Sequence, residues 1–422
     1  MSVDARVVGP DATPQGGQTE GRGPAALIRR GIDDIRGGNL GVLPIVIALV
    51  FIVVFFTYRA TNFFTSENFG NIIIQMAGTT MLAYGVVFVL LLGEIDLSIS
   101  YVAGIGALAV AELQQPGSGH PGLPGLVAIP IAIVICAVIG IGQGAIVARI
   151  GVPSFVVTLA GFLIWQGVIV YKLAGPGSII IQDRWINYMG SYYFSHVAGW
   201  LIAAFVTALY VATKLSALIG SVRAGLAVSD TWLLGAKIVG VAAAAFGVVA
   251  ICNRASVQGT PLGLPLAAVI IVLFLVVLTF LAKRTMFGRH VYAVGGNAEA
   301  ARRAGINVSR IKILVMMIST IMAAIGGIIL AANVNSVDTN FGGGTLLLDA
   351  ISAAVIGGTS LFGGRGEVRN AFIGGAVIAT VANGLNTANY NPGTIYMVTG
   401  AILLLAVTLD TVARRLQARS GR

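Results

Sequence analysis

The sequence predicts an all-α polytopic membrane protein with about 10–12 transmembrane helices, both termini cytoplasmic and some spans short or broken. Three observations predict it. Only 10% of the 422 residues are charged and 57% are hydrophobic, whereas a soluble globular chain carries about 25% charge. Apolar runs near the ~18–20 residues that cross a bilayer follow one another from residue 40 to residue 411. Of the 26 Lys and Arg residues, only Arg59, Lys172, Arg184 and Arg254 fall in the outer set of alternating loops, as the positive-inside rule requires. A soluble enzyme, a disordered chain and a fibrous protein are excluded. The formal charge of +10 sits between spans and sets topology, so it does not point to nucleic acid.

The elements follow in order. Residues 1–38 are rich in Gly, Pro and Gln without periodicity and read as a disordered cytoplasmic tail. No small-residue cleavage site follows Tyr58, so the first span is expected to be retained. A transmembrane body occupies 39–413. Its first six spans are expected at Leu40–Tyr58, Asn68–Leu92, Ile99–Ala111, Leu126–Ala148, Ser154–Ala174 and Val197–Thr213. The second six are expected at Gly235–Cys252, Leu264–Ala282, Ile313–Ala331, Leu346–Thr359, Ala371–Thr387 and Thr394–Thr411. The spans beginning at Ile99 and Leu346 are short and rich in small residues, which suits broken, re-entrant or tilted helices. Residues 414–422 form a basic cytoplasmic tail.

The 56 glycines are about twice the average usage. Lipid supplies no hydrophobic drive between helices, so small residues that let backbones approach closely supply the packing. Cys136 and Cys252 each lie in an apolar run, and His120, His196 and His290 are far apart. Neither a disulfide framework nor a metal site is expected. No phosphate-cradling Gly-x-x-x-x-Gly-Lys-Ser/Thr loop is present, so no cofactor is expected on this chain.

Polar groups at membrane depth are costly and each asks for an explanation. In Gly93–Glu94–Ile95–Asp96–Leu97–Ser98, two carboxylates stand two residues apart. They read either as an acid/base or cation-binding pair, or as an inner-surface turn in which Asp96 or Ser98 caps the short helix that follows. Asp349, at the start of the other short span, has the same two readings. Nothing completes a catalytic set, and no ionisable relay stands clearly within a span. The energy source for any transport is expected on another subunit.

The inner loop 283–312 carries the most specific local signal. Asn297 suits an N-cap, Glu299 the first turn, Arg302 and Arg303 the last, and Gly305 a left-handed C′ position. Ala298, Ala300 and Ala301 fill the interior with the strongest helix former. Such a short helix frays alone. It is either a solvated connector or a handle held in a partner's groove.

Glu299–Ala300–Ala301 followed by Gly305 resembles the cytoplasmic signature of permease subunits of ATP-binding cassette importers. The run from Phe287 to Asn297, the run from Leu348 to Gly364 with Gly357–Gly358 and Gly363–Gly364, Glu94 to Ser98, and Val152 to Leu159 are similar to the monosaccharide branch, which includes ribose, galactose and xylose permeases. Glu94 where that branch usually has Gly, and extra sequence from Lys214 to Pro261, resemble its xylose subgroup. The resemblance implies a homodimer in the bacterial plasma membrane. It also implies two cytoplasmic ATPase subunits that bind ATP-Mg and an extracytoplasmic sugar-binding protein. The helix at 298–304 would be the coupling helix, and Glu94, Asp96, Ser98, Asp349 and the paired glycines would be gating motifs. Gln143, Gln166, Asn333, Asn335, Asn383 and Asn386 can hydrogen-bond sugar hydroxyls and are candidates for the path. The competing class is an ion-coupled secondary sugar transporter, which needs a buried ionisable relay and no ATPase.

Overall fold

The computed structural model describes residues 43–117, 121–225, 231–254 and 262–419. The expected tail at 1–38 and the end of the basic tail at 420–422 lie outside them. The described residues 43–411 form one compact unit, and the last helix runs on to Arg419.

The helices in chain order are α1 (Leu43–Arg59), α2 (Ser66–Leu91), α3 (Ile99–Leu113), α4 (Gly125–Ala145, extended by a π turn Ile146–Ile150), α5 (Ser154–Leu173), α6 (Arg184–Ser191), α7 (His196–Arg223) and α8 (Thr231–Cys252). They continue as α9 (Leu266–Arg284), α10 (Met286–Gly296), α11 (Ala298–Arg303), α12 (Val308–Val334), α13 (Leu346–Ile356), α14 (Val368–Thr387) and α15 (Pro392–Arg419). Two short strands, β1 (Ser178–Ile180) and β2 (Ser336–Asp338), pair antiparallel with Ile179 opposite Val337. Eight of the described helices are long and apolar enough to cross a bilayer, and four shorter apolar helices accompany them. The fold is all-α and polytopic, and α3 and α13 are short, as expected at Ile99 and Leu346.

Boundaries depart from the sequence reading where charge interrupts an apolar run without breaking a helix. Helix α7 continues ten residues beyond Thr213, through Lys214, to Arg223. Its stop is Gly225, at φ +66°. The extra sequence after Lys214 therefore contributes one further span, α8, and a longer α7.

Helices α2 and α12 form the centre, and α2 is buried along 94% of its apolar window. They cross through small residues. A Cβ on Gly85 would lie 2.9 Å from the Ser319 backbone, and one on Gly326 would lie 2.6 Å from the Gly78 carbonyl. The two contacts are seven residues apart on each helix, so the antiparallel pair meets at matching turns. Helix α3 packs on the same centre, with Gly106 against Ala324. Helices α7 and α8 expose nearly all of their apolar surface, which suits lipid. A small cluster of Ile73, Ala203, Val249, Cys252 and Leu264 attaches them to the body.

Candidate functional site

The inner-face loop forms two helices. Helix α10 enters through Thr285, whose Oγ1 accepts from Gly288 N–H at 3.2 Å. Asn297 then ends α10 and begins α11 in extended conformation (φ −161°, ψ 102°), with its Oδ1 accepting from Ala300 N–H at 2.9 Å. At the far end Gly305 takes φ +85°. Ile306 N–H donates to Ala301 C=O at 3.0 Å, the six-to-one bond of a Schellman stop. The caps expected at Asn297 and Gly305 are the observed ones. Glu299 pairs with Arg302 at 2.8 Å and Arg303 at 3.2 Å. These pairs are exposed and add little stability. Only Ala301 of α11 is buried, and Ala298 is half-buried. Glu299, Ala300, Arg302 and Arg303 face outward.

Helix α10 mounts α11 on the body through a junction of backbone against backbone. A Cβ on Gly295 would overlap the Leu91 carbonyl at the end of α2. That carbonyl accepts from Gly364 N–H at 2.9 Å. Gly363 and Gly364 take φ +89° and +71°, a region few other residues enter. A Cβ on Gly363 would sit 3.0 Å from both Gly295 O and Gly93 N. The Tyr292 hydroxyl donates to Gly366 C=O at 2.8 Å. Lys283 pairs with Glu367 at 2.6 Å, and Arg369 also reaches Glu367. Burial pushes the Glu367 carboxyl up, but the Lys283 hydrogen bond, together with Arg369, outweighs it and holds the group below its ordinary value. The motifs around Gly93, Gly295 and Gly363–Gly364, remote in sequence, thus meet at one point.

The linker between α2 and α3 corrects an expectation. It is no surface turn, because Asp96 is 4% exposed and Ser98 is fully buried. Asp96 Oδ1 accepts from Ser98 N–H at 3.0 Å and from the Ser98 hydroxyl at 2.7 Å, and Oδ2 accepts from the Ser319 hydroxyl at 2.8 Å. Ser98, the N-cap residue of α3, is in αR conformation (φ −78°, ψ −15°) and makes no capping bond with its own side chain; Asp96, two residues upstream, holds it in place. The Ser98 hydroxyl also lies 3.1 Å from Gln143 Oε1, while Gln143 Nε2 has no acceptor among the described residues. One hydroxyl proton cannot serve both Asp96 and Gln143, and turning the amide over lets Nε2 donate to Ser98, which then donates to Asp96. Ile95 is held by Ser154 and Thr158 of α5. Glu94, half-buried, pairs with Lys312 of α12.

The remaining candidates are not brought together. Asp349 accepts from the Thr345 hydroxyl at 2.7 Å at the start of α13, the opposite end of that helix from Gly357. Gly357 packs on the backbone at Asn370, and Gly358 takes φ +86°. Gln166 hydrogen-bonds Tyr101. Asn333 abuts Gly190, and Asn335 C=O accepts from Ile181 N–H at 2.9 Å. Asn383 is buried near the end of α14, and Asn386 donates to Ala382 C=O at 2.9 Å. Among the described residues no His, Cys, Asp and Glu cluster could hold a metal ion. Sequence reasoning missed Ser319 and gave Lys312 a topological role only. The available signal was a serine inside an apolar run, two turns from that lysine.

A body of packed apolar helices, eight of the described ones long enough to cross a bilayer, is that of a multi-pass membrane protein. The chain belongs to the family described as branched-chain amino acid transport system / permease component, whose model matches residues 68–407. It is 33% identical over 394 residues to the xylose transport system permease protein XylH of Escherichia coli K12, covering 91% of this chain and 95% of that one. It is 34% identical over 380 residues to XylH of Haemophilus influenzae (89% and 98%). To the ribose import permease protein RbsC of E. coli K12 it is 29% identical over 365 residues (86% and 92%). No solved structure matches the chain. The chain is a multi-pass permease of the bacterial plasma membrane, related to sugar importers.

Proposed function

We propose that this chain is the membrane subunit of an ATP-driven importer for a monosaccharide, D-xylose or a related pentose. Two copies would form the path, two cytoplasmic ATP-binding subunits would supply the energy, and an extracytoplasmic sugar-binding protein would deliver the cargo. The observation that carries the reading is α11. It is a helix of six residues, capped at both ends, exposed on its outward side and mounted on the body through a backbone junction that leaves no room for a side chain at Gly295. Nothing within the described chain covers it, and its form suits a groove on a separate subunit.

Although the family description names amino acids, the relatives matched along nearly their whole length are named for xylose and ribose, which favours a sugar. Closure of the ATPase dimer would push α11. Gly295 would pass that push to the end of α2 and to the Gly363–Gly364 loop at the foot of α13, and the path would change its opening from one side to the other. ATP-Mg belongs to the partner subunits. The ion-coupled alternative would have to run through Asp96, whose bonds from Ser98 and Ser319 tie it into the packing, or through Asp349, held by the Thr345 hydroxyl at the start of α13. The test is uptake of labelled xylose, ribose and galactose by the complete complex in vesicles. Preferential uptake of xylose supports the assignment, and preference for a hexose or an amino acid overturns it.

A further inference from the structure

Lys312 and Ser319 stand seven residues apart on α12, two turns along one face and about 10 Å apart. Both hold the same short segment. Lys312 pairs with Glu94, with side chains 25% and 17% exposed, and the buried Ser319 hydroxyl donates to Asp96 at 2.8 Å. Asp96 in turn holds the first turn of α3 through Ser98. At Ser319 the backbone of α12 is also pressed against Gly85 of α2.

The N-terminal end of α12, one turn before Lys312, is joined to α11 by only four residues, 304–307. Two caps stiffen that connection. Ile306 closes the Schellman stop of α11, and Asn307 Oδ1 accepts from Arg310 N–H at 2.9 Å to start α12. A displacement of α11 therefore has a second way into the body besides Gly295. It runs along α12, which grips the linker in front of α3 at two points. Helix α3 has 15 residues, about 22 Å, shorter than the ~30 Å core of a bilayer, and its linker end is held in the body by α12 and α5, so a shift of α12 is passed to that end.

We propose that α12 is a transmission rod, with Lys312 and Ser319 as positioning residues that clamp the Glu94–Ser98 linker, so that movement of α11 tilts α3. The inference rests on α11 being the ATPase-driven handle. The test measures sugar moved per ATP hydrolysed by the complete complex in vesicles, alongside the apparent unfolding temperature. K312E and E94K should each lower that ratio about fivefold, the low end of allosteric coupling. The double variant, which restores the pair with its charges exchanged, should recover it. A merely structural pair would shift the unfolding temperature and leave the ratio of the surviving complexes unchanged, and that result overturns the proposal. So does a double variant that regains stability but not the ratio. Should the charge variants fail to assemble, S319A decides, because it removes only a hydroxyl: a lowered ratio supports the clamp and an unchanged one overturns it. If the unmodified complex moves sugar without hydrolysing ATP, the importer reading itself falls, and the two failures stay distinguishable.

Discussion

Adding one methyl group at Gly295 probes the inner-face junction directly. A Cβ there would overlap the Leu91 carbonyl oxygen, a backbone atom, and lie 3.0 Å from Gly364 N. Relief requires α10 to retreat or the Leu91–Gly364 hydrogen bond of 2.9 Å to break. Overpacking costs about 1–3 kcal/mol, and a lost hydrogen bond adds about 1 kcal/mol, so Gly295→Ala should destabilise by about 2–4 kcal/mol. The neighbouring Gly296 is the control, since a Cβ there meets nothing within 4 Å. Gly296→Ala should be neutral, or stabilising by up to about 1 kcal/mol. The assay is unfolding of the purified chain in lipid discs together with sugar-stimulated ATP hydrolysis in the complex. Gly295→Ala should lose both stability and stimulation while Gly296→Ala keeps both. Equal behaviour of the two variants would refute the backbone junction as the mount of the handle.

Gly305→Val forces a β-branched residue into φ +85°, at a cost of about 1–2 kcal/mol. Sugar-stimulated ATP hydrolysis should fall while membrane insertion survives, and unchanged stimulation would count against α11 as the contact. Ser98→Ala removes one donor from buried Asp96 and the partner of Gln143, so stability should drop by about 1–3 kcal/mol in thermal unfolding. A silent substitution would mean that the network does not hold α3. Glu367 is held below its ordinary value, so its contribution is fully present above that value and is lost as pH falls through the depressed one. Glu367→Gln should therefore flatten the acid limb of a stability-against-pH curve, and an unaltered limb would contradict the Lys283–Glu367–Arg369 cluster.

Much of the fold was legible in the sequence because the bilayer imposes it. Each apolar run became a helix, and the small-residue runs at Ile99 and Leu346 became the short ones. The ends were less legible. At Lys214 the hydropathy stops but the helix does not, since Leu215, Ala217 and Leu218 continue it until Gly225. In the site, the caps at Asn297 and Gly305 could be read because capping is local chemistry between residues a few positions apart. The convergence of Gly93, Gly295 and Gly364 could not, nor could the pairing of Glu94 with Lys312. These contacts join residues about 70 to 270 positions apart in sequence, and a glycine at an interhelical contact looks no different in sequence from one facing lipid. The burial of Asp96 was hidden for the same reason: Ser319, which satisfies it, belongs to a span 223 residues away.

The central claim is that work enters this subunit from outside, through α11. Vesicles holding the permease alone, and vesicles holding it with its ATP-binding and sugar-binding partners, can be loaded with ATP and offered labelled xylose under imposed proton and sodium gradients. Accumulation only in the complete vesicles, abolished when ATP is replaced by a non-hydrolysable analogue and indifferent to the gradients, is the predicted result. Accumulation by the permease alone, driven by either gradient, would contradict it.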